Sequence, residues 1–260
     1  MAVFILKKIK TMKKITLFVF CIGLLVACKH NTDDAPQPND PDIPAVMGTV
    51  SMHLHNYIDY NEVDGYGITY TTLGGRKITV NAAQLFLSQF EFLRADGSVY
   101  TVPDTIILKE EDKETYTIAQ IPVGNYKTVR FHVGIPSAQN NTANAPQLDA
   151  SMRFAAPSHE YVFMKFQGEV DSSSTKTASM RPFSFKIGTA ANYKEVTMPE
   201  QDFSVVEDQD HLIHLLIDYN KLFNGIALNA KSLNVETEAD NLSALASQVA
   251  ANIPSMFKYE

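Results

Sequence analysis

His53 and His55 stand one residue apart in Met52-His53-Leu54-His55-Asn56, and of all the residues in this chain they are the best spaced for chemistry. Along an extended strand, side chains at i and i+2 project from one face. Two imidazoles so placed chelate a transition metal once a third ligand converges on them. Their neighbours on that face, Ser51 and Tyr57, are polar, so the pair reads equally as a solvated strand surface. His132 lies off the apolar face of a later strand and joins the pair only if the two strands are neighbours. His159, in Pro157-Ser158-His159-Glu160, reads as a turn residue and a further candidate ligand. His211 and His214 are three apart, so on a strand they face opposite sides and cannot hold one ion together. His214 shares its face with Leu212 and Leu216 and is expected to be partly buried. Met52, Met152, Met164 and Met180 are soft donors suited to Cu(I), although a Met among alternating apolar residues reads first as core.

Catalytic signatures are missing. The chain has no Gly-x-Ser-x-Gly, P-loop, His-Glu-x-x-His or EF-hand loop. Gly74-Gly75 reads as a turn, and Glu110-Glu111-Asp112 as a solvated charge run. These features point to a binding protein, not an enzyme, and no catalytic residue is assigned.

The elements that must position the histidines are strands, because the dominant hydrophobic period is 2. Val50, Met52, Leu54 and Ile58 alternate with Ser51, His53, His55 and Tyr57. Similar patterns cover residues 78–80, 84–93, 100–108, 116–118, 129–135, 161–167, 182–187 and 211–219. Asp96-Gly97 is a hairpin signal. Residues 137–149 read as a loop. Residues 241–257 carry helical spacing at Leu242, Leu245 and Val249, with Asn241 as the expected N-cap. Many short strands with turn residues between them predict an all-β dominated fold, an antiparallel β-sandwich with a short C-terminal helix.

The N-terminus reads as an address. Lys13 and Lys14 precede an apolar run from Ile15 to Val26, the size of a signal-peptide h-region and short for a membrane span. Leu25-Val26-Ala27-Cys28 fits lipoprotein processing, with cleavage before Cys28 and lipid on its thiol. Residues 1–27 are therefore expected to be a signal peptide, with Met12 a candidate true start. Residues 28–45 are expected to be a lipidated cysteine and a Pro-rich, acidic tether that cannot bury apolar area. Residues 46–260 are expected to form the folded domain. The expected location is the outer membrane, held by lipid and facing the periplasm or the cell surface. Asp33-Asp34 behind the cysteine resembles the acidic export signal of some surface lipoproteins.

Cleavage before Cys28 would remove five lysines. Lys+Arg then falls from 22 to 17 against 29 acidic residues, a net charge of −12. That balance argues against nucleic acid as a partner. Cys21 is removed and Cys28 is lipidated, so the folded part has neither a disulfide nor a thiolate metal site.

The order of segments resembles the MbnP-like domain, a family of exported β-sandwich proteins of which some are linked to copper. The resemblance rests on Met52-His53-Leu54-His55-Asn56, on residues 75–80 before Leu85-Phe86-Leu87-Ser88-Gln89-Phe90, and on Ile121-Pro122-Val123-Gly124-Asn125-Tyr126. It continues through Val129-Arg130-Phe131-His132-Val133-Gly134, Ile217-Asp218-Tyr219-Asn220-Lys221 and the closing Asn252-Ile253-Pro254-Ser255-Met256-Phe257. The resemblance implies a β-sandwich and copper, or another transition metal, as ligand. It also exposes three departures. Where the family carries tryptophans after the Met equivalent to Met152, this chain has Arg153-Phe154-Ala155-Ala156-Pro157 and no Trp anywhere, so a kynurenine ligand cannot form. The family's His-Ile-Gly appears as Lys186-Ile187-Gly188, and no His follows His214. Two readings stand: a metal-binding lipoprotein using His53, His55, His132 or His159, and a metal-free module that docks a protein or glycan. For the second, Tyr57, Tyr60, Tyr66 and Tyr70 offer a stacking platform.

Overall fold

In the computed structural model, residues 45–140, 148–155, 160–177 and 179–260 are described. Cys28, His159 and the tether lie outside them. The strands gather into two sheets. The smaller has the order β15 (Phe257–Tyr259), β13 (Asp210–Asp218), β1 (Met47–Ile58) and β2 (Asn61–Glu62), with β7 (Thr115–Pro122) also paired to β1. The larger has the order β11 (Lys194–Thr197), β8 (Gly124–Val133), β4 (Lys77–Arg94), β9 (Val162–Asp171), β10 (Met180–Gly188) and β14 (Asn234–Val235). β12 (Phe203–Val205) adds to β8, while β3 (Ile68–Thr71), β5 (Val99–Thr101) and β6 (Ile106–Lys109) add to β4.

The period-2 pattern builds the core. β1 turns Val50, Met52, Leu54 and Ile58 inward, all fully buried, and β13 adds Ile213, Leu215 and Ile217. The large sheet answers with Leu85, Phe90, Phe131, Met164, Phe166, Phe185 and Ile187. A smaller cluster of Phe86, Ile135, Met152, Phe154, Tyr161, Val162 and Phe163 covers the other side of the large sheet. Where β9 crosses β4, only glycine fits: a Cβ on Gly168 would lie 1.9 Å from the Thr79 carbonyl oxygen.

The sandwich is therefore all-β, but its sheets are mixed, not purely antiparallel. β1 runs parallel to β13, and β10 runs parallel to β14. The first of these pairs joins strands more than 150 residues apart. The C-terminal helix, α1 (Ala244–Asn252), is shorter than its apolar spacing suggests. Its N-cap is Ser243, whose hydroxyl accepts from the Ala246 amide at 3.1 Å. Asn241 is instead fully buried: its amide donates to the Lys186 carbonyl, and its Oδ1 accepts from the Gly188 amide. It ties the chain to β10 and caps nothing. Among the described residues, no helix is long and apolar enough to cross a membrane.

Candidate metal centre

The site grows from the parallel register of β1 and β13. That register sets His53 directly beside His214. Alternation then places His53, His55 and His214 on the outer surface of the small sheet, with the core residues Met52, Leu54, Ile213 and Leu215 behind them. The His53 and His55 rings are 4.3 Å apart, edge to face, and the His53 and His214 rings 5.2 Å apart. One ring nitrogen of each of the three lies within 4.8 Å of the other two. Three imidazoles on a tetrahedral ion, with bonds of about 2.0–2.1 Å, need nitrogens about 3.4 Å apart. The rings must turn toward one another to close that gap. His53 and His55 are mostly covered, at 21% and 16% exposed, while His214 is 47% exposed.

Each imidazole has an oxygen against one nitrogen. His55 Nδ1 is 2.5 Å from Glu62 Oε1, and His214 Nδ1 is 3.2 Å from Glu260 Oε2. An ionised carboxylate only accepts, so Nδ1 of both rings is the donor there, and the neutral tautomer that fits this leaves the lone pair on Nε2. His53 Nδ1 lies 2.8 Å from the Thr115 hydroxyl, which donates or accepts as the tautomer requires. An oxygen behind each ring, orienting it and raising its basicity, is the support that metal-ligating histidines usually have. Glu114 stands over the group, 3.5 Å from His53 Nε2 and 3.9 Å from His55 Nδ1. It also groups with His55 and Glu62 as a potential ligand set. Burial pushes the His53 pKa below the ordinary imidazole value, and His55 and His214 push the same way against the pull of Glu114. A neutral imidazole is the form that binds a cation.

Glu114 has its own anchor. Lys109 is buried, and its ammonium donates to the carbonyls of Glu110 at 2.7 Å and Lys113 at 2.8 Å, while Tyr116 Oη donates to the same Lys113 carbonyl. This pins the turn that delivers Glu114 to β7. Burial lowers the Lys109 pKa to about 8 despite the nearby Glu114 and Asp112.

The other expected ligands go elsewhere. His132 is on β8 in the large sheet, opposite Ser88 and Glu195, with its ring stacked 4.6 Å from Tyr193. β8 is no neighbour of β1 in either sheet, so His132 does not join the cluster. Its Nδ1 is buried without a hydrogen-bond partner. His159 is outside the described residues. Met52, Met152 and Met164 are fully buried in apolar clusters, so no thioether reaches the imidazoles from them. His214 reverses its expected placement: the core-facing side of β13 is Ile213, Leu215 and Ile217, and His214 faces out with Leu212. His211 turns the other way and stacks 4.6 Å from Phe203. The four tyrosines form no common platform. Tyr66 and Tyr70 pack against the core and donate to the carbonyls of Ala83 and Gly65, Tyr57 meets His55 edge-on, and Tyr60 is exposed in a turn.

Residues 47–239 match the family described as MbnP. The chain belongs to the MbnP family. Among solved structures it is similar to MbnP from Methylosinus trichosporium, with 16% identity, a TM-score of 0.49, and coverage of 81% of this chain and 97% of that one. No curated protein matches the chain. In this MbnP-family chain the position where the resemblance implies a histidine carries Lys186, whose ammonium is unsuited to a cation. Lys186 sits on β10 in the large sheet, directly opposite Lys165 on β9, with its ammonium 2.6 Å from Glu236. The three-histidine cluster lies on the small sheet and draws on His214, Glu62, Glu114 and Glu260, none of which the spacing of motifs singles out as a ligand.

Proposed function

We propose that this MbnP-family protein binds one divalent transition-metal ion through His53, His55 and His214, with Glu114 as a fourth ligand. The observation that carries the reading is the cross-strand meeting of three imidazoles, each with an oxygen at Nδ1. Nitrogen and carboxylate donors without sulfur suit borderline ions, and among first-row divalent ions such sites favour Cu2+ ahead of Zn2+. The chemistry supports Cu2+ or Zn2+ over Cu(I), because Met52, Met152 and Met164, which would soften the site, are buried in the core. The role is binding, with no catalytic step. The same proposal holds the domain at the outer membrane by lipid on Cys28.

Titration of the protein with Cu2+ and Zn2+ against a competing chelator tests the site. The expected result is one tight equivalent, weakened in His214→Ala as much as in His53→Ala. Binding that ignores His214 would return the site to the opening strand alone. Absence of binding by either ion would favour the metal-free module that docks a protein or glycan. Metabolic labelling with a radioactive fatty acid tests the anchor: label should be lost in Cys28→Ser, and retained label would refute lipidation there.

A further inference from the structure

A second site lies on the large sheet, where β4 changes partner. Its residues 85–88 pair with β6, and its residues 91–93 pair with β5. Between these stretches Gln89 leaves the ladder with φ 49°, in the left-handed region that a non-glycine residue enters at a cost. The segment that crosses from β5 to β6 contains Asp104, also left-handed with φ 51°. These two residues, the turn at Pro136–Gln139 and Glu91 border an open cavity of about 430 Å³. That volume falls in the usual range of small-ligand sites, about 300–1,000 Å³.

The hydrogen-bonding groups in the cavity are oriented and only half used. Gln89 Oε1 accepts from the Tyr193 hydroxyl at 2.7 Å, which fixes the amide and leaves both Nε2 hydrogens to donate. Gln139 Nε2 donates to Asp104 Oδ1 at 3.1 Å, leaving Gln139 Oε1 and Asp104 Oδ2 as acceptors. Glu91 Oε2 is held by the Arg130 guanidinium, leaving Oε1. Among the described residues no Lys or Arg lines the cavity, so it does not suit a phosphate or carboxylate ligand. Val102, Pro103 and Pro136 supply apolar wall. An amide donor, several acceptors and an apolar floor match the hydroxyls and C–H faces of a neutral polyol.

We infer that this cavity is a saccharide-binding site, with Gln89, Asp104 and Gln139 as its hydrogen-bonding residues. It is independent of the metal cluster, which occupies the other sheet. The competing explanation is that the β4 bulge only serves the change of strand partner. Gln89→Gly separates the two, because glycine accepts the backbone conformation and removes the amide.

The test is saturation-transfer NMR on the whole protein with cellobiose, chitobiose and mannobiose, with inorganic phosphate as a charged competitor. The expected result is saturation of the C–H protons of at least one disaccharide. Phosphate should not compete, and binding should weaken at least tenfold in both Gln89→Gly and Gln139→Ala. Gln89→Gly should melt no lower than the unaltered protein. The inference is overturned if none of the three sugars is saturated, if phosphate displaces the sugar, or if both variants bind as before.

Discussion

The outer faces of the two sheets carry the same device with opposite content. On the small sheet, His53 and His214 are direct cross-strand neighbours. On the large sheet, Lys186 and Lys165 are direct cross-strand neighbours. The His53 and His214 rings stand 5.2 Å apart, and Lys186 is close enough to Lys165 to lower its pKa. Paired imidazoles backed by oxygens offer lone pairs to a cation. Paired ammoniums repel one and spend their charge on Glu236, Asp149 and Glu111. Burial lowers the Lys165 pKa first, and the neighbouring Lys186 lowers it further against Asp149. In this chain the donor chemistry resides on one face, and the position where the family resemblance implies a histidine is a structural ion pair.

Five results bear on that contrast. The largest effect is expected from His53→Ala/His214→Ala, which should cost at least about 100-fold in Cu2+ or Zn2+ affinity, near 2.7 kcal/mol. In the same chelator competition, Lys165→Ala/Lys186→Ala should leave affinity unchanged, and an equal loss there would erase the contrast. Next comes Lys109→Met, which strips the ammonium donor from the carbonyls of Glu110 and Lys113 and leaves only Tyr116 Oη on the second. Denaturant unfolding should show a loss of about 2 kcal/mol. Metal affinity should fall only modestly, since Lys109 acts through the turn that holds Glu114.

A smaller effect is expected from Glu62→Gln. The amide no longer takes a proton hydrogen bond as strongly as the carboxylate, and loss of such an orienting partner typically weakens metal binding about 10-fold or more. Calorimetric titration reads it directly, and an unchanged affinity would remove Glu62 from the site. The smallest effect is the pH dependence of the metal-free fold. The folded state holds the His53 pKa below its unfolded value, so the unfolded chain binds protons more readily on the acid side. Stability from this residue is fully present above the ordinary imidazole value and is lost as pH falls through the lowered one. Thermal melts between pH 7 and pH 5 should decline less steeply for His53→Gln than for the unaltered protein.

Much of the fold is legible in the residues, because a buried face and a period of 2 leave a strand few choices. The inward set of β1 follows directly from Val50, Met52, Leu54 and Ile58. β13 shows where that logic fails. Residues 211–219 are apolar in both phases, so Leu212, His214 and Leu216 look as plausible a core face as Ile213, Leu215 and Ile217. Periodicity cannot choose between them, and His214 is assigned to the wrong side. Its meeting with His53 depends on a parallel pairing across the whole length of the domain, which no local signal encodes. Glu114 is hidden for a related reason: it follows the charge run Glu110-Glu111-Asp112 with no signal of its own, and it is Lys109, buried beneath the turn, that fixes its place. Ser243, not Asn241, caps the helix, because the Asn241 side chain is captured by the backbone of β10. Tertiary demand overrides a sound local preference there.

Three imidazoles, not two, meet on the small sheet. Pulsed EPR of the protein loaded with one equivalent of Cu2+ counts the coordinated imidazoles through the coupling of their remote nitrogens. Three are expected in the unaltered protein and two in His214→Ala. Two or fewer in the unaltered protein, or a spectrum unchanged by His214→Ala, would contradict a three-imidazole site.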